Sequence, residues 1–270
     1  MVCLALFMPE QELFTELYRI ILTDDVESKC AATQNLNHQL LNSFSFAHNG
    51  IVVPINTPGL PKNLQLVAPK NLKRRGINTQ QGRNVLMHAI AHIEFNAINL
   101  ALDAAYRFRH QPMQYYQDWI RIAAEEAHHF LLIRGYLRQN NCDYSDYPAH
   151  NGLWDMAVKT ADDVVARMAL VPRVLEARGL DVTPGIIKRL TSVSDDSAVA
   201  ILEVIYQEEI DHVRVGSKWF NYQCEQNHLE PRSTFKAMVT KHLHGELKGP
   251  FNITARLQAG FDEMELADLV

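Results

Sequence analysis

Two copies of one constellation stand 83 residues apart in this chain. The first is Glu94, followed by Glu126 and His129 as Glu-x-x-His. The second is Glu176, followed by Glu209 and His212, again as Glu-x-x-His. Glu126 trails Glu94 by 32 residues, and Glu209 trails Glu176 by 33. One Glu from each of two helices, with Glu-x-x-His from each of two others, is the donor set of a carboxylate-bridged two-metal site inside a four-helix bundle. The chemistry such a set would serve is metal-dependent redox. Mixed carboxylate and imidazole ligands without thiolate suit iron or manganese. Bridging Glu side chains would hold two such ions ~3.5–4 Å apart.

A lone Glu-x-x-His is weak evidence, and the chain contains four: Glu125/His128, Glu126/His129, Glu209/His212 and Glu225/His228. Helix faces separate them, because residues i, i+3, i+4 and i+7 share a face. The stripe Trp119, Ile122, Glu126, His129, Ile133, Tyr136 is apolar apart from the two candidates. The stripe through Glu125 and His128 carries Asp118 and Arg121 and reads as partly solvated. Leu202, Ile205, Glu209, His212, Gly216 and Trp219 form a second inward stripe, with Glu208 and Asp211 off it. Glu94 is the single charge among Met87, Ile90, Ala97, Ala101 and Ala104. Glu176 follows Val165, Ala169 and Pro172, and Pro172 should kink its helix just before the ligand. Burying four carboxylates costs several kcal/mol each unless cations compensate them, and bound metal ions would do so. A buried polar network without metal is the competing reading. Two matched copies on apolar stripes weigh against it.

The elements that must position these residues are helices. Residues 10–22 and 25–42 read as two short helices, and 43–79, with Pro54, Pro58, Pro61 and Pro69, as an extended arm. Long helices follow over 80–109, 113–139, 153–178 and 194–226, with Gly179 as C-cap of the third and Thr183-Pro184 opening a short connector. A helix after Pro231 and an irregular tail from Gly245 close the chain. Little alternates at period two, so the expectation is an all-α protein. It divides into N-terminal helices and arm (1–78), a four-helix bundle (79–228) and a C-terminal helix and tail (229–270), packed as one body.

Composition narrows the function class. The chain has 270 residues and a net charge of −5. No basic block marks a nucleic-acid partner, although Lys70–Arg75 is a small basic cluster. No apolar run approaches the ~18 residues of a membrane span. The apolar stretch Met1–Met8 lacks a basic flank and meets Pro9 too soon for a signal peptide. Cys3, Cys30, Cys142 and Cys224 are scattered without a Cys-x-x-Cys pair, which fits a reducing cytoplasm. No strand leads into Gly-x-Gly-x-x-Gly, so electrons would come from a separate donor protein.

Several strings carry a resemblance. They are His88-Ala-Ile-Ala-His92-Ile-Glu94, Glu125-Glu126-Ala-His-His129-Phe130, Arg167-Met-Ala-Leu-Val-Pro-Arg173-Val-Leu-Glu176-Ala-Arg-Gly-Leu-Asp181, Glu208-Glu209-Ile-Asp-His212-Val and Lys248-Gly-Pro-Phe-Asn252. The Glu/His motifs resemble the ferritin-like superfamily of di-iron carboxylate proteins. The third and last strings resemble, more narrowly, a bacterial ferritin-like family called domain of unknown function 455. A more distant likeness is to the di-iron hydroxylase that modifies a tRNA base beside the anticodon. The resemblance implies a ferritin-like bundle holding two Fe ions (Mn or a mixed pair being open) on Glu94, Glu126, His129, Glu176, Glu209 and His212.

The expected function is a di-iron oxidoreductase of monooxygenase or oxidase type. It would use O₂ on an organic small molecule or modified base. The alternatives are a metal-stabilised scaffold without catalysis, and iron storage with ferroxidase activity. Storage needs a shell of many subunits, which the long arm and tail disfavour; a smaller homo-oligomer stays open. His88 and His92 share a face pointing away from Glu94 and read as packing. Tyr206, three residues before Glu209, would hydrogen-bond a ligand or carry a radical, and reads first as ordinary packing with a hydrogen-bonded hydroxyl. Arg167 and Arg173 would bind an anionic substrate or neutralise buried carboxylates. The Lys248–Asn252 turn would be a lid or a docked tail.

Overall fold

The structure is a computed structural model that describes residues 11–39, 44–46, 48, 50–72, 76–243 and 247–268. The Met1–Met8 stretch, Cys3, the 73–75 part of the basic cluster and Gly245 lie outside the described residues. The fold is all-α, apart from a two-residue parallel pairing of Gln11–Glu12 with Phe44–Ser45. Its helices are α1 (Leu13–Leu22), α2 (Val26–Gln39), α3 (Gln80–Arg107), α4 (Met113–Gln139), α5 (Gly152–Lys159), α6 (Val164–Leu170), α7 (Ala177–Thr191), α8 (Asp196–Gln226), α9 (Pro231–Leu243), α10 (Ile253–Gln258) and α11 (Glu263–Ala267). A π-helical turn, Val171–Glu176, joins α6 to α7.

Local signals place most helix ends. Thr79 Oγ1 accepts from the Gly82 N–H at 3.1 Å and starts α3. Pro112 precedes α4, and Asp195 accepts from the Ala198 N–H at 3.2 Å to start α8. Helices α3, α4, α8 and the α6–π–α7 rod pack against one another as the central layer. Contacts climb α4 as they descend α8: Gln111 with Gln223, Asp118 with Lys218, His129 with Glu208. These two helices therefore run antiparallel, and that register sets the site. Helix α1 packs on α3, and α2 on α4. Buried Lys29 ties them together, donating to Ile21 O at 2.9 Å, Gly59 O at 2.8 Å and Asn99 Oδ1 at 2.6 Å. Burial pushes its ammonium down to about 7.

Residues 50–72 cross the body largely without regular structure, as the arm was expected to do, with one 3₁₀ turn at Pro69–Asn71. The arm is pinned where the Val67 N–H donates to Ala149 O at 2.8 Å and Trp154 Nε1 donates to Asn56 O at 3.1 Å. Buried apolar residues from α1 through α11 join one core. Helix α3 holds a window of mean hydropathy 1.3, long and apolar enough by composition to cross a membrane, yet 72% of that window is buried inside the protein. Cys30, Cys142 and Cys224 are buried free thiols.

The third long helix departs from expectation. The expected 153–178 rod is broken after α5, and Asp163 caps a new start by accepting from the Ala166 N–H at 2.9 Å. Pro172 does perturb the rod, but as a π turn: the Ala177 N–H reaches back to Pro172 O. Gly179 caps nothing, because α7 runs through it to Thr191 with Pro184 inside. A helix-interior proline strips a partner from the carbonyl four residues earlier. Here that carbonyl is Leu180 O, and Asn252 Nδ2 from the C-terminal segment donates to it at 3.2 Å. A distant side chain thus replaces the lost bond, and the helix continues.

Candidate metal centre

Helices α4 and α8 bring four of the donors together. One donor atom from each of Glu126, His129, Glu209 and His212 lies within 4.8 Å of the others. Glu126, His129 and His212 are fully buried, and the Glu209 side chain is 12% exposed. Glu126 stands between the rings, with Oε1 2.9 Å from His212 Nδ1 and Oε2 3.3 Å from His129 Nδ1. Glu209 Oε1 also faces both, at 3.4 Å from His212 Nδ1 and 3.9 Å from His129 Nδ1. The two ring centroids are 5.6 Å apart. The arrangement is nearly symmetric because antiparallel helices present the same motif to one another.

The other two carboxylates reach the same centre from flanking helices. Glu94 of α3 is buried with Oε2 3.4 Å from His129 Nδ1. Glu176 ends the π turn, and Glu209, Glu126, His212 and Glu94 are the charges that act on it. Its Oε2 is buried without a hydrogen-bond partner. The structure therefore gathers Glu126, His129, Glu209 and His212 at one point, with Glu94 against His129 and Glu176 close enough to feel their charges.

Electrostatics describes a site short of positive charge. Burial, then the Glu126 charge, pushes the Glu94 carboxyl up to about 7. Burial, with Glu209 and Glu126 beside it, pushes Glu176 well above the carboxylate range. Burial opposes charge on His129, but hydrogen bonds to Glu126 and Glu94 overcome it and raise the ring to about 11. His212 is likewise raised, by Glu126 and Glu209 against burial. Among the described residues, no Lys or Arg forms an ion pair with Glu94, Glu126, Glu176 or Glu209. Four carboxylates facing two imidazoles can stay buried only by taking up protons, which removes their charge, or by binding cations, which offsets it. An unpartnered buried oxygen and an oxygen- and nitrogen-only donor set fit divalent metal of the iron or manganese type.

A family model described as protein of unknown function (DUF455) matches residues 22–267. The chain belongs to this family. An uncharacterized protein of Haemophilus influenzae (strain ATCC 51907 / DSM 11121 / KW20 / Rd) is 40% identical over 255 residues, covering 90% of this chain and 88% of that protein. No solved structure matches.

In this DUF455 chain, two residues set aside on the sequence turn out to support the site. His129 Nε2 bonds Glu208 at 2.8 Å, and His212 Nε2 bonds Glu125 at 2.9 Å. Each motif's preceding Glu thus crosses to the other motif's histidine. Both are the half-solvated positions beside the inward stripe, with side chains 42% and 33% exposed. Glu125 loses solvation, but hydrogen bonds from His212 and Arg121 hold its carboxyl below the usual range. Arg121 in turn joins Glu125 to Asp211 at 2.7 and 2.8 Å. The doubled acidic residue in Glu125-Glu126 and Glu208-Glu209 was the available signal. Recognising it needs the α4/α8 register. Orienting carboxylates of this kind typically control metal affinity ~10–100-fold. Glu125→Ala and Glu208→Ala should each weaken metal binding by roughly that factor in a chelator competition. Unchanged affinity in both would show that the rings keep their orientation without them.

The remaining candidates fall elsewhere. His92 bonds Tyr144 Oη at 2.8 Å and His150 O at 3.0 Å, and His88 accepts from the Ser145 N–H at 3.0 Å. Burial pushes both rings down to about 4. They pack under the 140–151 loop, as expected. Arg167 pairs with Asp103 at 2.5 Å and Arg173 with Glu265 at 2.8 Å. These arginines neutralise buried acids outside the cluster. Tyr206 Oη accepts from Asn252 Nδ2 at 2.9 Å. The Lys248–Asn252 turn is a docked tail, with Arg178 Nη1 donating to Lys248 O and Pro250 O at 3.1 Å each.

Proposed function

We propose that this chain is a ferritin-like di-iron carboxylate protein that uses O₂ to oxidise or hydroxylate an organic substrate. The observation that carries the reading is the fully buried Glu126 carboxylate set between the Nδ1 atoms of His129 and His212. In this reading Glu126 and Glu209, each facing both rings, would be ligands together with His129 and His212. Glu94, against His129, and Glu176 would add the remaining carboxylates. Iron bound by these residues would supply the electrons and Lewis acidity for reaction with O₂. The chain's part is to hold the donors rigidly on helices and to exclude bulk water with the apolar stripes of α3, α4 and α8. Glu125 and Glu208 keep each Nε2–H engaged, which aims Nδ1 inward. A separate redox protein supplies reducing equivalents, and the substrate is a small molecule or modified base.

Metal uptake must displace the protons that the site holds. Burial and neighbouring carboxylates raise Glu94 and Glu176, and against burial the carboxylates raise His129 and His212, so all four favour their protonated forms before metal enters. Ligands bind metal deprotonated, so binding releases protons. Apparent affinity should therefore rise with pH between 6 and 8, with proton release measurable in a weakly buffered titration. A flat affinity over that range would contradict the protonated resting site.

The deciding experiment is elemental mass spectrometry on protein expressed without added metal, then the optical spectrum of the reduced protein on exposure to O₂. About two irons per chain and a new oxygen-dependent band are expected. Intact helical content with no metal would mean that the six residues form a buried polar network. Two irons without any response to O₂ would point to a metal-stabilised scaffold.

A further inference from the structure

Glu176 is held differently from the other members of the cluster. Its Oε2 has no hydrogen-bond partner, so its place depends on the backbone that carries it. That backbone is the π turn, and it is bracketed by two buried ion pairs to the C-terminal segment. Three residues before Glu176, the fully buried Arg173 donates from Nη2 to both Glu265 oxygens at 2.8 Å. Its guanidinium lies 4.6, 4.6 and 4.4 Å from the ring centres of Phe220, Phe235 and Phe261. Five residues after Glu176, Asp181 accepts from Arg256 Nε at 2.9 Å and Nη2 at 2.8 Å. It also accepts from the Asn252 backbone N–H at 2.9 Å. Phe261 stands against both guanidinium groups, at 4.4 Å from Arg173 and 5.1 Å from Arg256.

We propose that the C-terminal segment 247–268 positions Glu176, with Arg173 and Glu265 as the positioning pair. The metal centre then depends on a helix, α11, with no residue in the cluster. Buried ion pairs add little net stability over apolar residues of similar size, but a fully enclosed pair fixes geometry. Here the geometry fixed is that of the turn presenting Glu176 to Glu209 and His212. The inference rests on the metal-site reading above and predicts which part of that site fails first.

The test is a Co(II) titration, followed by visible absorbance and elemental analysis, of the full chain and two variants. Arg173→Met combined with Glu265→Leu replaces the pair by apolar side chains. Ile20→Ala removes buried volume in α1, far along the chain from the turn. The wild-type chain should bind about two Co(II). The double variant should bind one as before and the other at least about tenfold more weakly. Its amides over 171–177 should also exchange faster. Ile20→Ala should bind both ions normally despite a lower Tm. If the double variant does not fold, Glu265→Gln, which keeps shape and one acceptor, is expected to show the same ordering with a smaller shift. Wild-type affinity for both ions in the folded variant overturns the inference alone. A wild-type chain that binds no Co(II) overturns the metal reading and this inference together.

Discussion

Glu126→Ala should empty the centre. The substitution removes the one carboxylate whose two oxygens face the two histidines, at 2.9 and 3.3 Å. In the proposed centre, bound metal would lose the ligand that faces both histidines. The loss of affinity should therefore exceed the ~10–100-fold expected of the orienting carboxylates. The same change takes the counter-charge from two fully buried imidazoles, and breaking such a buried pair costs about 3–5 kcal/mol. Glu126→Gln separates the two effects, since it keeps the volume and one acceptor but not the charge. Metal analysis of both variants, with circular dichroism and a thermal melt, gives the answer. Two tightly bound ions in either variant would remove Glu126 from the centre, and the bridging scheme with it.

Gly216→Ala should destabilise the fold by about 3 kcal/mol or more, at the upper end for overpacking. Gly216 lies on the inward stripe of α8, one turn beyond His212, and an added Cβ there would overlap the Cβ and Cγ of Pro172. Neither side yields readily, because Pro172 belongs to the π turn and Gly216 to the middle of a 31-residue helix. A melt should show Tm falling by about 6–12 °C for a chain of this size. Displacement of the turn would also carry Glu176 outward, so metal affinity should fall as well. An unchanged Tm would mean that the rod moves away from α8 freely, contrary to the close approach at this point.

The long helices and the inward faces of the candidate site were legible because their determinants are local. Thr79, Pro112 and Asp195 start α3, α4 and α8 through contacts within one turn of chain. The stripe rule chose Glu126/His129 over Glu125/His128, and the structure buries the first pair and leaves Glu125 and His128 partly or fully exposed. Duplication of Glu-x-x-His made the buried cluster readable, because two copies on apolar faces need compensation that no Lys or Arg ion pair among the described residues supplies. Capping preferences misled where a residue's partner came from far away. Gly179 and Pro184 were read as a helix end from their own preferences. Asn252, 72 residues beyond Leu180, accepts the consequence of Pro184 by bonding Leu180 O.

Periodicity and capping in the chain itself predicted the helical class, the ends of α3, α4 and α8, and the four carboxylates whose burial needs compensation. Both signals act over a few residues. The crossing of Glu125 and Glu208 to the opposite histidines emerges from packing alone. That pairing depends on the register of α4 against α8, and their members are 87 and 79 residues apart. The tertiary structure also decided that Gly216 makes room for Pro172, and that Arg173 and Asp181 are gripped by Glu265 and Arg256. Those contacts join segments whose separate sequences contain no trace of one another, so packing alone could bring them together.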